Sequence, residues 1–425
     1  ALCTASASPT TLQVTGEPRV LTRNIGLIEP TDLDAYLKTG GFEGFRRAVE
    51  IGPEAVIDEM KTSAIVGRGG AGFPTGLKWQ FTRGAVGDPK YVICNADESE
   101  PGTFKDRALM EGDPFRVLEG MAICAHAIGA RHGFIFIRGE YPQAAAVLQE
   151  AIDAARAGGY LGENILGSGF DLEIEVRRGA GAYICGEETS LFEAIEGNRG
   201  FPRIKPPFPT THGVFHKPTC INNVETLCAV PDIVLNGGQW LKQWGTDKST
   251  GVKLFCVSGH VKKPGVVEVP FGVTVREVIE RHCGGFDGAL QAVLMGGAAG
   301  GFLPPDKIDT PLTFEAMQAQ KAPIGSGVIM AFNYSVDLRQ VLRQLARFFA
   351  HESCGKCYPC QLGTQRQMEI MNRVAAGRAQ PGDLDTLMDI GQTMTDASLC
   401  GLGQTAGAAV MSALTLWPDL AEPKG

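Results

Sequence analysis

Basic charge, histidine and long apolar runs are all scarce in this sequence, and each scarcity excludes something. Lys and Arg number 39 against 47 Asp and Glu, a net charge of −8, so no basic field exists for nucleic acid or an anionic lipid surface. No apolar run approaches the roughly 20 residues of a spanning helix. The longest are short, at residues 133–137 and 328–332, and the expectation is a soluble, cytoplasmic chain whose partners are proteins and small molecules. The chain opens at Ala1-Leu2-Cys3 with no basic segment leading into an apolar one, so no secretion signal is visible. A trimmed start and a missing upstream domain both fit. Only 7 histidines occur. His212, His216 and Cys220 have metal-ligand spacing, but Pro218 interrupts the helix that would bring them together.

Cysteine is too sparse for a disulfide scaffold, at 12 in 425 residues, yet it is unevenly placed. Cys94, Cys124, Cys185, Cys220, Cys228, Cys256 and Cys283 stand singly and read as buried thiols. Cys354, Cys357 and Cys360 form C-x2-C-x2-C, and Cys400 returns after two helical stretches. Three such thiolates hold three corners of a cubane and a distant one the fourth. A four-cysteine zinc site and inert thiols are the alternatives. Gly401 and Gly403 let backbone approach the sulfurs, where N–H groups tune a potential.

A chain of this length and 44% hydrophobic content supports more than one core. Residues 1–75 run from a polar lead-in to an amphipathic, mostly helical stretch at 33–65. From 76 to 245, β-rich runs at 91–94, 133–137 and 172–176 alternate with helical stretches at 117–128 and 141–157, which predicts βαβ units and a mainly parallel sheet. Residues 246–251 read as a polar linker. A small α+β unit fits 252–333, and 334–425 reads as a helical bundle with a turn at 380–383.

Gly67-Arg68-Gly69-Gly70-Ala71-Gly72 fits G-x-G-x-x-G and can bring backbone N–H groups to a phosphate. Residues 56–65 before it read as helix rather than strand, and the expected single acid is replaced by Asp97, Glu98 and Glu100, so a simple dinucleotide fold does not fit. A helix-capping turn with Phe73 and Trp79 in the core explains the loop equally well. The acidic run Asn95-Ala96-Asp97-Glu98-Ser99-Glu100 needs donors to hold its carboxylates, unless it is a solvated turn. Glu187 and Glu188, after Gly186, suit either a ligand or the positive end of a helix.

Together these motifs, with Lys205-Pro206-Pro207-Phe208, Asn222-Asn223-Val224-Glu225-Thr226 and Glu352-Ser353-Cys354-Gly355-Lys356-Cys357, resemble the NADH-binding flavoprotein subunit of respiratory complex I and its soluble diaphorase relatives in NAD-linked hydrogenases and formate dehydrogenases. The resemblance runs from about residue 20 to the end. It implies a Rossmann-like or flavodoxin-like α/β core, a ubiquitin-like β-grasp domain at 252–333, and a bundle carrying a four-iron four-sulfur cluster on Cys354, Cys357, Cys360 and Cys400. It also implies hydride exchange between NAD(H) and FMN, and single-electron exchange with the cluster.

By the same resemblance, Gly67, Arg68, Gly69, Gly70, Asn95, Asp97, Glu98 and Ser99 hold FMN. Lys78 is near its ring or phosphate, and Asn222, Asn223 and Thr226 surround the phosphate. Phe73, Phe81 and Phe208 stack the adenine. Glu100, Tyr183, Gly186, Glu187, Glu188 and Lys205 line the nicotinamide and ribose side, with Glu98 and Glu100 as the candidate catalytic carboxylates. The implied partners are a small thioredoxin-like iron–sulfur subunit and a catalytic or electron-wire subunit. Tyr358-Pro359 and Gln361-Leu362 depart from the family's usual residues, and the absent cation predicts a lower cluster potential. The string at 398–406 favours a soluble formate dehydrogenase or hydrogenase over a respiratory host.

Overall fold

A computed structural model describes residues 12–422, so the polar lead-in at 1–11 lies outside the described residues. Two sheets and a bundle organise the chain. The first sheet contains β2 (Tyr91–Ala96), β3 (His132–Ile137), β4 (Glu173–Arg178) and β5 (Thr219–Asn223) in the order β4-β3-β2-β5. All three pairings are parallel. The three expected strands appear close to their predicted bounds. β5 was not anticipated, because five residues behind Pro218 carry too little periodicity.

Parallel strands need crossovers, and the helices Pro114–Ile128 and Pro142–Ala157 supply two of them. The first is buried on almost every face, which is why its sequence is apolar all round. Helices Leu33–Lys38, Glu43–Ile51 and Pro53–Thr62 account for the amphipathic stretch at 33–65 and pack into the same core.

The chain steps from β2 outward to β3 and β4, then returns to place β5 on the other side of β2. This reversal opens a crevice beyond the carboxyl ends of β2 and β5, the place where open α/β sheets bind ligands. The acidic run from Asp97 follows β2 directly, and Asn223 ends β5. The glycine loop differs from the dinucleotide pattern in that it precedes the whole sheet. It leaves the helix Pro53–Thr62, closes through Gly67 N–H donating to Phe73 O at 2.9 Å, and enters the helix Thr75–Gly84.

The second sheet, in the order β1-β7-β6-β10-β8-β9, comprises β1 (Val14–Gly16), β6 (Val252–Gly259), β7 (Gly265–Pro270), β8 (Leu290–Met295), β9 (Gly301–Leu303) and β10 (Val328–Asn333). β1 was unforeseen: the three-residue strand joins the edge at β7, far along the chain. Just after it, Glu268 accepts the N–H groups of Val20, Leu21 and Thr22, at 2.7 to 3.1 Å.

Residues 246–251 are no loose linker. Ser249 and Thr250 are buried, with Ser249 Oγ donating to Glu315 and Thr250 Oγ1 to Ser63 O. Their polarity, which resembles linker composition, is used inside the protein. The bundle contains helices Leu338–Glu352, Tyr358–Ala375, Asp383–Ala397, Gly401–Thr405 and Ala408–Leu416 around an apolar core.

Candidate functional site

Beyond β2 and β5 lies a cleft of about 440 Å³. One wall is the glycine loop at Gly69, Gly70 and Ala71, and the floor is Asn95, Asp97, Glu98, Ser99 and Glu100 with Asn223. Tyr183, Gly186 and Glu187 form a side. The opposite wall comes from loops of the second sheet, at Gly296, Ala299, Gly300, Pro323, Gly325 and Ser326, and from the bundle at Gly401, Leu402 and Thr405. No motif had pointed to these last two contributions, since their only signal is clustered glycine.

The carboxylates of the floor meet three environments. Glu98 is taken up by its own scaffold: its two oxygens accept the N–H groups of Asp106 and Arg107 at 2.9 and 3.0 Å, capping the helix Lys105–Gly112. Glu100 accepts the Tyr183 hydroxyl at 2.7 Å and the Ala299 N–H at 3.1 Å. Gly297, at φ +85°, leaves room for it, because a Cβ there would lie 2.5 Å from Glu100 Oε1. Asp97 Oδ2, Ser99 Oγ and Ser326 Oγ are buried at the cleft with no hydrogen-bond partner among the described residues. Burial pushes Asp97 up to about 7, against the pull of Arg138, and lifts Glu100 to about 7 against the Tyr183 bond. Glu98 also rises to about 7, through burial and the neighbouring Asp106.

Lys105 and Asp106, absent from the sequence prediction, line the cleft as well. Lys105 Nζ lies 2.6 Å from Asp106 Oδ1 and 3.0 Å from Glu225 Oε2, and Glu225 also binds Lys253 Nζ at 2.6 Å. Burial would raise Glu225, but Lys253, Lys105 and Arg68 outweigh it and hold the carboxylate below its usual range. Asn223 Nδ2 completes the set by donating to Asp106 Oδ2 at 2.7 Å.

Several expected cofactor contacts stand behind the walls. Arg68 turns away: its guanidinium donates to Thr250 O at 2.8 Å and lies 4.8 Å from the Phe271 ring centroid, while its N–H is taken by Thr226 Oγ1 at 2.9 Å. Lys78 Nζ donates to Ile221 O at 2.8 Å. Asn222 faces the opposite side of β5 from Asn223, with its Nδ2 near the sulfurs of Cys124 and Cys220. This follows from strand alternation, since neighbouring asparagines must point to opposite faces. Gly67 serves the loop closure. Phe73, Phe81 and Phe208 are exposed rings outside the cleft walls. Lys205 reaches Glu187 at 3.0 Å and Glu188 at 2.8 Å, beside the cleft's edge. Glu187 additionally caps the helix Glu188–Ile195 through the N–H groups of Thr189 and Ser190.

Cys354, Cys357, Cys360 and Cys400 ring a second, small cavity, together with Pro202, Lys356 and Leu402. The lining offers four thiols and neither His nor carboxylate, and the three-at-close-spacing-plus-one pattern is the donor set of a four-iron four-sulfur cluster. Cys400 stands at the N-cap of the helix Gly401–Thr405, and burial pushes its thiol up against the pull of the Leu402 and Gly403 N–H groups. His212 and His216 are exposed and Cys220 is buried on β5, so this triplet does not converge. Of the seven single cysteines six are buried, and Cys185 is intermediate.

Comparison with known proteins agrees with this arrangement. Residues 60–232 match the Nuo51 FMN-binding domain, 254–305 the SLBB domain, and 340–424 the NADH-ubiquinone oxidoreductase-F iron-sulfur binding region. The F 2 subunit of the NADH-quinone oxidoreductase of Rhizobium meliloti is 44% identical over 398 residues, covering 93% of this chain and 94% of the relative. The NADP-reducing hydrogenase subunit HndC of Solidesulfovibrio fructosivorans is 45% identical, with coverage of 93% and 81%. A crystal structure of NAD+-reducing [NiFe]-hydrogenase in the H2-reduced state aligns with a TM-score of 0.84 at 38% identity, covering 97% of this chain and 67% of the other.

Fold, cleft and cysteine cavity thus define a nicotinamide-dependent oxidoreductase subunit that carries FMN and a four-iron four-sulfur cluster. Within that class, the chain belongs to the family of NADH-quinone oxidoreductase F subunits and their hydrogenase diaphorase counterparts. Both kinds of host occur among the relatives, which are equally compatible with a respiratory and a hydrogenase host and do not carry the sequence-based tilt toward the soluble one. No helix among the described residues is long and apolar enough to cross a membrane.

Proposed function

We propose that the switch-point cleft holds FMN, that NAD(H) is received beside it toward Glu187, Glu188 and Lys205, and that the four ringed thiols hold the cluster. The observation that carries this reading is a shared wall: Leu402 lines both the cleft and the cysteine cavity, and Gly401, next to Cys400, lines the cleft. When bound, FMN exchanges a hydride with nicotinamide and single electrons with the cluster.

The chain's own residues divide the remaining work. Asp97, Ser99 and Ser326 offer the cleft oxygens that lack partners, and Asn95, whose Nδ2 bonds Gly186 O at 2.9 Å, fixes that side. Gly69 and Gly70 present bare backbone suited to a phosphate. Arg68, Lys78, Asn222 and Thr226 act from behind, fixing the loop and strand that form the cleft. Glu98 holds the helix that presents Lys105 and Asp106. Glu100, near 7 and bonded to Tyr183, can hold or release a proton at neutral pH.

Glu187 and Glu188 flank a single Lys205. The excess negative charge disfavours a 2′-phosphate, so NADH is the preferred nucleotide, with exposed Phe73, Phe81 and Phe208 available to the adenine. The second sheet supports the β-grasp reading: β6 and β7 form an antiparallel pair, and β10 returns parallel to β6 before pairing with β8. A thioredoxin-like iron–sulfur subunit and a catalytic or electron-wire subunit complete the cytoplasmic assembly.

Cofactor analysis tests the reading. Anaerobically purified protein should carry about four irons per FMN. Cys357→Ser, which does not line the cleft, should lose iron while NADH still bleaches the flavin in stopped flow. One zinc per chain without acid-labile sulfide would overturn the cluster assignment, and lost flavin reduction at full FMN occupancy would overturn the division between the two sites.

A further inference from the structure

Residues 199–202 lie across the cysteine segment. Arg199 Nη2 donates to Cys354 O at 3.3 Å, and Lys356 Nζ donates to Pro202 O at 2.6 Å. Between these bonds sits the ring of Phe201. The Arg199 guanidinium carbon is 4.5 Å and the Lys356 nitrogen 5.7 Å from its centroid. Pro202 and Lys356 themselves line the four-thiol cavity.

Two cations are therefore gathered on one ring at the cavity's rim, and among the described residues neither forms a salt bridge with a carboxylate. Both residues are exposed, so water screens their repulsion and leaves their charge unspent on any carboxylate. Lys356 also lines the cavity, where a bound anion would lie beside it. Four thiolates around a four-iron four-sulfur core leave a net negative charge, which reduction increases by one. Gln361 and Leu362, which follow the third cysteine, supply no positive charge.

We propose that Lys356 and Arg199, braced on Phe201, are the counter-charges of the cluster and raise its reduction potential. This rests on the four-thiol assignment. A nearby cation stabilises the more negative, reduced state, so its removal lowers the potential. The pair thus makes good, from within the cysteine segment and from residue 199, the cation absent after Cys360.

The experiment is an EPR-monitored redox titration of the anaerobic holoprotein, with iron content measured on each sample. Lys356→Gln retains a hydrogen-bond donor without charge, Lys356→Met retains neither, and Lys356→Arg retains the charge. Both neutral variants should shift the cluster downward, so that at the parent's midpoint the reduced-to-oxidised ratio falls by roughly three- to tenfold, the scale of a partly screened unit charge. Lys356→Arg should stay near the parent, and Arg199→Gln, outside the cysteine segment, should reproduce the downward shift. A Lys356→Gln protein that titrates like the parent would overturn the proposal, as would an upward shift. Loss of iron from both Lys356→Gln and Arg199→Gln would make the two cations structural pins and equally end it. A parent protein lacking the iron signal would fault the thiol assignment instead.

Discussion

Asp97, Glu98 and Glu100 are close in sequence but have different relations to their surroundings. Glu98 is saturated by backbone donors, Glu100 is held by one hydroxyl and one N–H, and Asp97 keeps an oxygen without a partner among the described residues. The price falls on the flavin-free chain, and its sign follows from linkage. The carboxyl of Asp97 is raised in the fold from 3.8 to about 7, so the folded state holds its proton more tightly than the unfolded state does. The associated stability is fully present below about pH 4 and is lost as pH rises through about 7. Asp97→Asn should leave the flavin-free protein unchanged near pH 4 and stabilise it by on the order of 2–4 kcal/mol above pH 7. Denaturation curves at the two pH values check this; an equal difference at both would show that Asp97 is not the titrating group. At this scale the sequence was legible for side chains that follow β2 directly, because the crevice lies at that strand's end. For Arg68, Lys78 and Asn222 it left open which way the side chain points, since motif membership does not say, and all three lie behind the cleft walls. Lys105 and Asp106 went unseen because a buried ion cluster leaves no spacing pattern.

Among the elements, the short helix Gly401–Thr405 is the most constrained. It starts at Cys400, and it packs so closely on the neighbouring cysteine that a Cβ on Gly403 would lie 2.8 Å from the Cβ of Cys360 and 2.5 Å from Ser398 Oγ. Gly403→Ala should therefore push the fourth thiol away from the third, at a cost of about 1–3 kcal/mol for an overpacked site. Its measurable consequence is faster iron loss to a chelator, with FMN content retained. Iron release at the parent's rate would mean that the segment yields. Elements of this length also mark the limit of pattern reading. The long helices of the bundle and the three strands at 91–96, 132–137 and 173–178 were legible from periodicity. β1 and β5 were not, since three and five residues are too few to show a period. The turn at 246–251 was mistaken for a linker because polar composition does not distinguish water from internal partners.

Across the whole molecule, the two sheets are joined by charge as well as by apolar packing. Lys253 on β6 and Lys105 beside the cleft both bind Glu225 at the start of the helix Val224–Asn236. Removing one member of such a buried set leaves the others uncompensated, which is why they hold the cleft's shape. The parallel pairing of β2, β3 and β4 is what the alternating segments predicted, whereas the reversal and its crevice depend on β5, which they did not show. Nor did they show the contribution of the second sheet and bundle to the same cleft, because contacts between distant segments leave no local trace.

The common wall at Leu402 imposes a schedule on the protein's maturation. Gly401, Leu402 and Thr405 line the cleft directly after Cys400, so iron and sulfide bound at that thiol would brace one wall of the flavin pocket. Loading should then run in one direction, cluster before flavin. Cys400→Ser is expected to weaken FMN binding roughly tenfold or more, through a loosened wall of the pocket. Cys357→Ser, which leaves the Cys400 thiol beside the wall unchanged, should weaken it less. Reconstitution of apoprotein with FMN before and after iron–sulfur insertion, followed by flavin fluorescence quenching, reads the order directly; equal affinity at both stages would mean that the two cofactors enter independently.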